Sequence, residues 1–382
     1  MKSTIVAVCV CLLLCCFAGA AFTQEIKLQS DGQTMSGQPL KNNESKTHNA
    51  PAGVVAPAGN IPMWAGFFIF ANTQFNFTMV GSDPTIAGAG TTNVPVWIIP
   101  LAFNYNGTVV STMRPACNDN VNVLTRVQNS PLFTQNVTWV EGNTVVGVTQ
   151  FTDAFQRANF WSIVSGRSPN YHVLLNPVTT LAQQTINIPA PPPPNTQLVN
   201  NNACPQQPIG SIDFNFLDGQ LRGLITRLGV PSNVLPLFLA YDMVAVPTGG
   251  GAALGYHTAF ALGGGVFQTY SFGSYVDPGL LGFNVADISI LSHELGEWMD
   301  DPFGNNRVPP WGHVGQVQGC QADLEVGDPL SGTNSVVTTP GFNYHVQDLA
   351  FFSWFARLSP SIAVNGWYST LNTFPSPPPV CQ

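Results

Sequence analysis

Apolar residues follow two rhythms along this chain. Val94–Phe103 (VPVWIIPLAF) and Leu235–Val246 (LPLFLAYDMVAV) are almost continuous apolar runs, the pattern of strands covered on both faces. Tyr171–Leu175 reads as a further strand. Thr138–Val148 is broken at Glu141-Gly142-Asn143, which predicts a hairpin. Leu254–Leu262 and Val266–Phe272 flank Gly263-Gly264-Gly265 and predict a second hairpin. The alternation in Gln268–Phe272 marks its second strand as a half-exposed sheet edge, to which an extended peptide could pair. Helical spacing appears in Phe151–Val164, with Thr152 as cap and Phe151, Phe155, Ala158 and Trp161 on one side. It appears again in Leu217–Leu228, ended by Gly229 and Pro231, and more briefly in Asn120–Val127.

One more helix is predicted from Asn284, its cap, to the residue before Pro302. Ile288, Leu291, Leu295, Trp298 and Met299 form its apolar stripe. Residues 292–301 (SHELGEWMDD) hold a histidine and four acids, in a chain where charged residues make up only 8%. A spacing of four sets His293 and Glu297 one above the other on one helical face. Asp300 follows at a step of three, and Glu294 projects from an adjacent face. Gly296 costs a helix interior on the order of 1 kcal/mol against Ala, which the close approach of another segment would explain.

Imidazole and carboxylate both bind Zn2+, and a catalytic zinc site takes three protein ligands and a water. The ion lowers the pKa of that water towards ~7, and a neighbouring carboxylate takes its proton during attack on a carbonyl. On this reading His293 and Glu297 are ligands and Glu294 is the general base. Glu325, in Leu324-Glu325-Val326-Gly327-Asp328, is the third ligand, and Asp328 accepts the remaining N–H of His293. Asp301, His313 and His345 compete for the third position. A carboxylate at 297 makes the metal a weaker Lewis acid, so a purely structural ion is the alternative. His172 and His257 each follow a Tyr in a predicted strand and read first as core or surface residues. No G-x-S-x-G occurs, and Gly263-Gly264-Gly265 lacks the lysine of a phosphate loop.

The helix and the acidic segment after it resemble the zincin metallopeptidases, whose active-site helix carries HExxH and whose glutamate-type members add a downstream Glu. The order HELxE, Asp-Pro, an aromatic-containing loop and E-[IV]-[GA]-D, here His293 to Pro302 and Glu325 to Asp328, more closely resembles secreted EXORDIUM-like (phosphate-induced) proteins and their bacterial relatives. The resemblance implies an α+β, zincin-like fold: a mixed sheet with an active-site helix carrying HExxE, plus an N-terminal α/β portion. It further implies Zn2+ as the ion and an extracellular protein or peptide as substrate. The chain departs from the peptidase pattern at Glu297. Its Glu–Asp spacing is three, where the glutamate zincins have four.

The ends of the chain add its setting. Lys2, the apolar Ile5–Phe17 and Ala18-Gly19-Ala20 read as an export signal with its cleavage site. The apolar run, roughly 13 residues, falls short of the ~20 that span a bilayer. A secreted protein without a membrane span is expected. The divisions are then a signal peptide at 1–20, a flexible polar leader at 21–60, an α/β portion at 61–188, a Pro-rich linker at 189–204 and a zincin-like metal-binding domain at 205–382. Loss of Cys9, Cys11, Cys15 and Cys16 with the signal leaves Cys117, Cys204, Cys320 and Cys381. Two disulfides follow, with three possible connectivities; Cys117–Cys204 and Cys320–Cys381 are preferred. A net charge of −8, with twelve basic residues scattered singly, argues against nucleic-acid binding. Asn43, Asn76, Asn106 and Asn136 open N-x-[ST] sequons, which carry sugar only if the source is eukaryotic.

Overall fold

One long strand organises the molecule. In a computed structural model, which describes residues 60–382 except 169, 202–203, 205–207, 248–250 and 281–283, the seven strands of the main sheet are β1 (Thr91–Tyr105), β2 (Thr108–Ser111), β3 (His172–Thr180), β4 (Gln184–Asn187), β5 (Leu235–Tyr241), β6 (Gly255–Gly263) and β7 (Val266–Tyr275). The backbone of a short antiparallel pair, Glu25–Lys27 with Thr34–Ser36, is also described. The expected signal peptide, most of the leader and Asn43 lie outside the described residues.

β3 and β5 run parallel to β1 on its two sides, β4 pairs parallel with its second half, and β2 turns back on it antiparallel. β7 is parallel to β5, and β6 closes the order as an antiparallel edge. Residues on both sides of 189–204 therefore build one sheet. The fold is mixed α/β with strand predominating, as the apolar runs require.

Side chains of a strand alternate between faces, and here each face has its own core. Val94, Val96, Ile98, Leu237, Leu239 and Tyr241 join one apolar cluster; Ile99, Leu101, Phe103, Phe238 and Ala240 join the other. Helix α3 (Phe214–Leu228) covers the second face, capped by the Asp213 carboxylate on Phe216 N–H and ended at Gly229 with φ +62°. Helices α1 (Val123–Gln128), α2 (Phe151–Asn159) and α4 (Ser289–Asp300) belong to the first. Leu291, Leu295, Trp298 and Met299 of α4 are fully buried. At about 1.5–3 kcal/mol for each large apolar side chain, this stripe fixes α4 against the sheet.

Several sequence expectations shift. Leu235–Val246 is not one strand: Asp242, at φ +49°, ends β5, and Met243–Val246 pairs with Ile209–Asp213 in a separate sheet. The helix expected over Phe151–Val164 breaks at Phe160 and is capped at Gln150, leaving Thr152 buried inside it. Among the described residues the sheet ends at β6, not at the strand containing Gln268–Phe272. Gln268 is fully buried, its amide donating to Val234 O at 3.1 Å, so its polarity reflects an internal partner rather than solvent. Helix α4 starts at Ser289, not near Asn284. The preferred cysteine pairs are at bonding distance, with Cα–Cα 5.9 Å for Cys117–Cys204 and 5.7 Å for Cys320–Cys381.

Gly296 lies where Leu349 packs on α4, and a Cβ there would run into Leu349 Cδ1. Replacing Gly296 with Ala should therefore destabilise the protein by about 1–3 kcal/mol through overpacking, despite the gain in helix propensity. Urea unfolding measures this; a more stable variant would contradict the packing described.

Candidate metal centre

Successive turns of α4 bring His293 Nε2 to 3.3 Å from Glu297 Oε2. The segment after the Val317–Asp323 strand brings Asp328 Oδ1 to 3.5 Å from the same nitrogen. A single donor atom from each of these three residues lies within 4.8 Å of the others. A second group shares Glu297: His257 Nδ1 stands 3.4 Å from Glu294 Oε2 and 3.6 Å from Glu297 Oε2. His257 comes from β6, where Tyr256 packs into the α3-side core and the next side chain points to α4. None of His257, His293, Glu294, Glu297, Glu325 and Asp328 is more than 7% exposed.

The supporting contacts fix which ring nitrogens face the cluster. His257 Nε2 is 3.0 Å from the Asp301 carbonyl oxygen, which can only accept, so Nε2 carries a proton and Nδ1 is the ring nitrogen that faces Glu294. His293 Nδ1 is 3.1 Å from Gln347 Oε1, and Gln347 Nε2 donates to Gly327 O at 2.6 Å. With the amide nitrogen so engaged, Oε1 accepts from Nδ1–H and leaves His293 Nε2 for the carboxylates. A Cβ at Gly327 would strike the His293 ring, and one at Gly255 would come within 2.6 Å of Glu294 Cγ. Only glycine lets these two segments close on α4.

The residues singled out from the sequence separate into those that converge and those that do not. His293, Glu294, Glu297 and Asp328 converge. Glu325 sits 3.9 Å from His257 Nε2, the ring nitrogen turned away from Glu294. Asp328, expected behind His293, faces Nε2 beside Glu297, and Gln347 takes the place behind. Asp301 caps the turn after α4, accepting from Asn305 and Asn306 N–H at 2.9 and 3.0 Å. His313 is exposed near the Cys320–Cys381 pair. His345 pairs with Asp287 at 2.5 Å. The sequence placed His257 first as a core or surface residue, and it did not single out Gln347. The alternation of β6 carried a signal for His257, because Tyr256 and His257 must face opposite ways; Gln347 left none.

Charge and spacing test whether a cation fits. Three converging carboxylates (Glu294, Glu297, Asp328) stand with two imidazoles, so with all three ionised one negative charge remains in excess even when both rings are protonated. Burying charge that lacks a counter-charge costs several kcal/mol, which a divalent ion offsets. Burial acts to lower the His293 pKa, but Glu297, Asp328 and Glu294 together hold it well above 6.5. Burial raises Glu294 above the usual carboxyl value, against the pull of His257 and His293. Donors roughly 2.0–2.2 Å from one ion in a tetrahedron lie about 3.3–3.6 Å apart. The 3.3 and 3.5 Å separations around His293 Nε2 match that spacing and are longer than good hydrogen bonds. One imidazole and two carboxylates suit Zn2+, and also Mn2+.

No protein-family model, curated protein or solved structure matches the chain. No helix among the described residues is long and apolar enough to cross a membrane.

Added Zn2+ should raise the melting temperature of metal-stripped protein, because an ion held by the folded cluster and not by the unfolded chain would stabilise the fold. The shift should vanish in His293→Ala and in Glu297→Ala. An equal shift in either variant would place binding elsewhere.

Proposed function

We propose that this chain is a secreted, zinc-dependent, peptidase-like protein that hydrolyses peptide bonds in extracellular proteins or peptides. The convergence of His293 Nε2, Glu297 Oε2 and Asp328 Oδ1, with Glu294 beside them, carries the reading. Those three residues would hold the ion. This assigns Asp328 the position first given to Glu325, which instead stands 3.9 Å from His257 Nε2. The mixed sheet crossed by a helix carrying HExxE agrees with the zincin-like fold that the sequence resemblance implies. The Cys117–Cys204 and Cys320–Cys381 pairs agree with an exported protein.

When bound, Zn2+ supplies a water acidified towards a pKa of about 7 and polarises a substrate carbonyl. The rest falls to the chain's own groups. Glu294, made more basic by burial, takes a proton at its carboxylate. His257 Nδ1, 3.4 Å from Glu294 Oε2, orients that carboxylate and would share its proton. Gln347 holds the His293 ring in plane through Nδ1.

A second reading has a specific observation behind it. Burial of every donor to 7% exposure or less favours a closed, structural ion in a non-catalytic extracellular or cell-wall protein, since catalytic zinc keeps an open position. Glu294→Gln separates the two. The peptidase reading expects hydrolysis of unfolded protein substrates to fall about 100-fold or more, with metal content unchanged. A wild-type protein that holds its metal and cleaves nothing would leave the structural reading standing.

A further inference from the structure

Away from the metal cluster, two β-hairpins line a groove of about 450 Å3. One is Val137–Glu141 with Thr144–Thr149; the other is Asn334–Thr339 with Phe342–Gln347. Each is a two-stranded sheet, so among the described residues Val137–Glu141 and Asn334–Thr339 pair on one side only. The groove is lined by residues 136–141 and 335–340 without a gap. A strand that presents a face contributes every second residue, because its side chains alternate. Strands that contribute each residue in turn present an edge, with its backbone N–H and C=O groups. Phe151, Ala154 and Phe155 of α2 add an apolar surface to the same groove, and Glu141 is its one charged residue.

We infer that this groove binds an extended peptide segment of a partner protein, which adds as a strand to an open hairpin edge and sets a lysine or arginine against Glu141. Unpaired edges call for a backbone partner, the α2 surface for apolar side chains, and Glu141 for a cation. Burial, with Asp348 nearby, raises the Glu141 carboxyl to about 8, so a bound cation would also return the proton that burial retains. A second copy of this chain fits poorly. A two-fold pairing sets the same patch against itself, and that patch holds no lysine or arginine to stand against Glu141. The groove shares no residue with the metal cluster, so the inference stands whether or not an ion is bound there.

Isothermal titration of the mature full-length protein with a blocked heptapeptide, Thr-Val-Thr-Lys-Val-Thr-Val, tests this. Binding tighter than about 1 mM is expected. It should weaken roughly tenfold in Glu141→Gln and be lost when alternate peptide amides are N-methylated. A peptide with Glu in place of Lys should bind only the Glu141→Lys variant, which guards against loss through misfolding. Absence of binding to the wild type, or binding indifferent to N-methylation and to residue 141, would overturn the inference. Concentration-dependent dimerisation abolished by Glu141→Lys would overturn it in favour of a second copy.

Discussion

Concentrating three buried carboxylates and two imidazoles at one point is the constraint on which the rest of this structure depends. Each group loses its hydration on burial, so the surroundings must hold the donors where they can share one compensating charge. The apolar stripe of α4 supplies the rigid side of that arrangement. Gly255 and Gly327 let β6 and the Glu325–Asp328 segment approach closely enough to face it. Gln347 and the Asp301 carbonyl then decide which ring nitrogens are available. The Cys320–Cys381 disulfide ties the C-terminus to the strand that leads into Glu325 and Asp328. By closing a loop in the unfolded chain it favours the state in which the cluster is assembled.

The N-terminal half buttresses this point rather than forming a separate body. Asp300, at the end of α4, accepts from Gln156 and from Asn159, the latter at 2.9 Å, both on α2. Burial raises its carboxyl to about 7, against those two hydrogen bonds. Asn306 binds the Asp300 carbonyl at 2.7 Å and both backbone groups of Thr78, in the hairpin of Met63–Phe70 with Thr73–Val80. Position in α4 is thus relayed from the core through α2 and that hairpin to the turn that orients His257. The same sheet divides the molecule, so α3 and its apolar cluster can pack without touching this polar network.

Much of this was legible in the sequence. Continuous apolar runs located β1 and β5, the glycine triplet located the β6–β7 turn, and export chemistry pointed to the two cysteine pairs. His293, Glu294 and Glu297 could be placed because helical geometry ties spacing to direction. What escaped depends on long-range partners. Asp242, in the left-handed region, ends a strand although apolar residues continue on both sides of it, and Gln268 looks exposed until Val234 is seen to accept its amide. The choice between Glu325 and Asp328 turns on the path of a short loop, which a three-residue spacing does not specify. His257 reaches the site because β6 packs beside α4, and Gln347 because the Phe342–Gln347 strand ends against Ser292, whose Oγ accepts Gln347 N–H at 2.9 Å.

The central claim is that His293, Glu297 and Asp328 together hold a divalent ion. Anomalous diffraction at the zinc edge, from crystals of the mature protein grown with Zn2+, tests it most directly. The account predicts one fully occupied ion within about 2.0–2.2 Å of His293 Nε2, Glu297 and Asp328. An anomalous map with no peak at the cluster, or with the ion held by other residues, would contradict it.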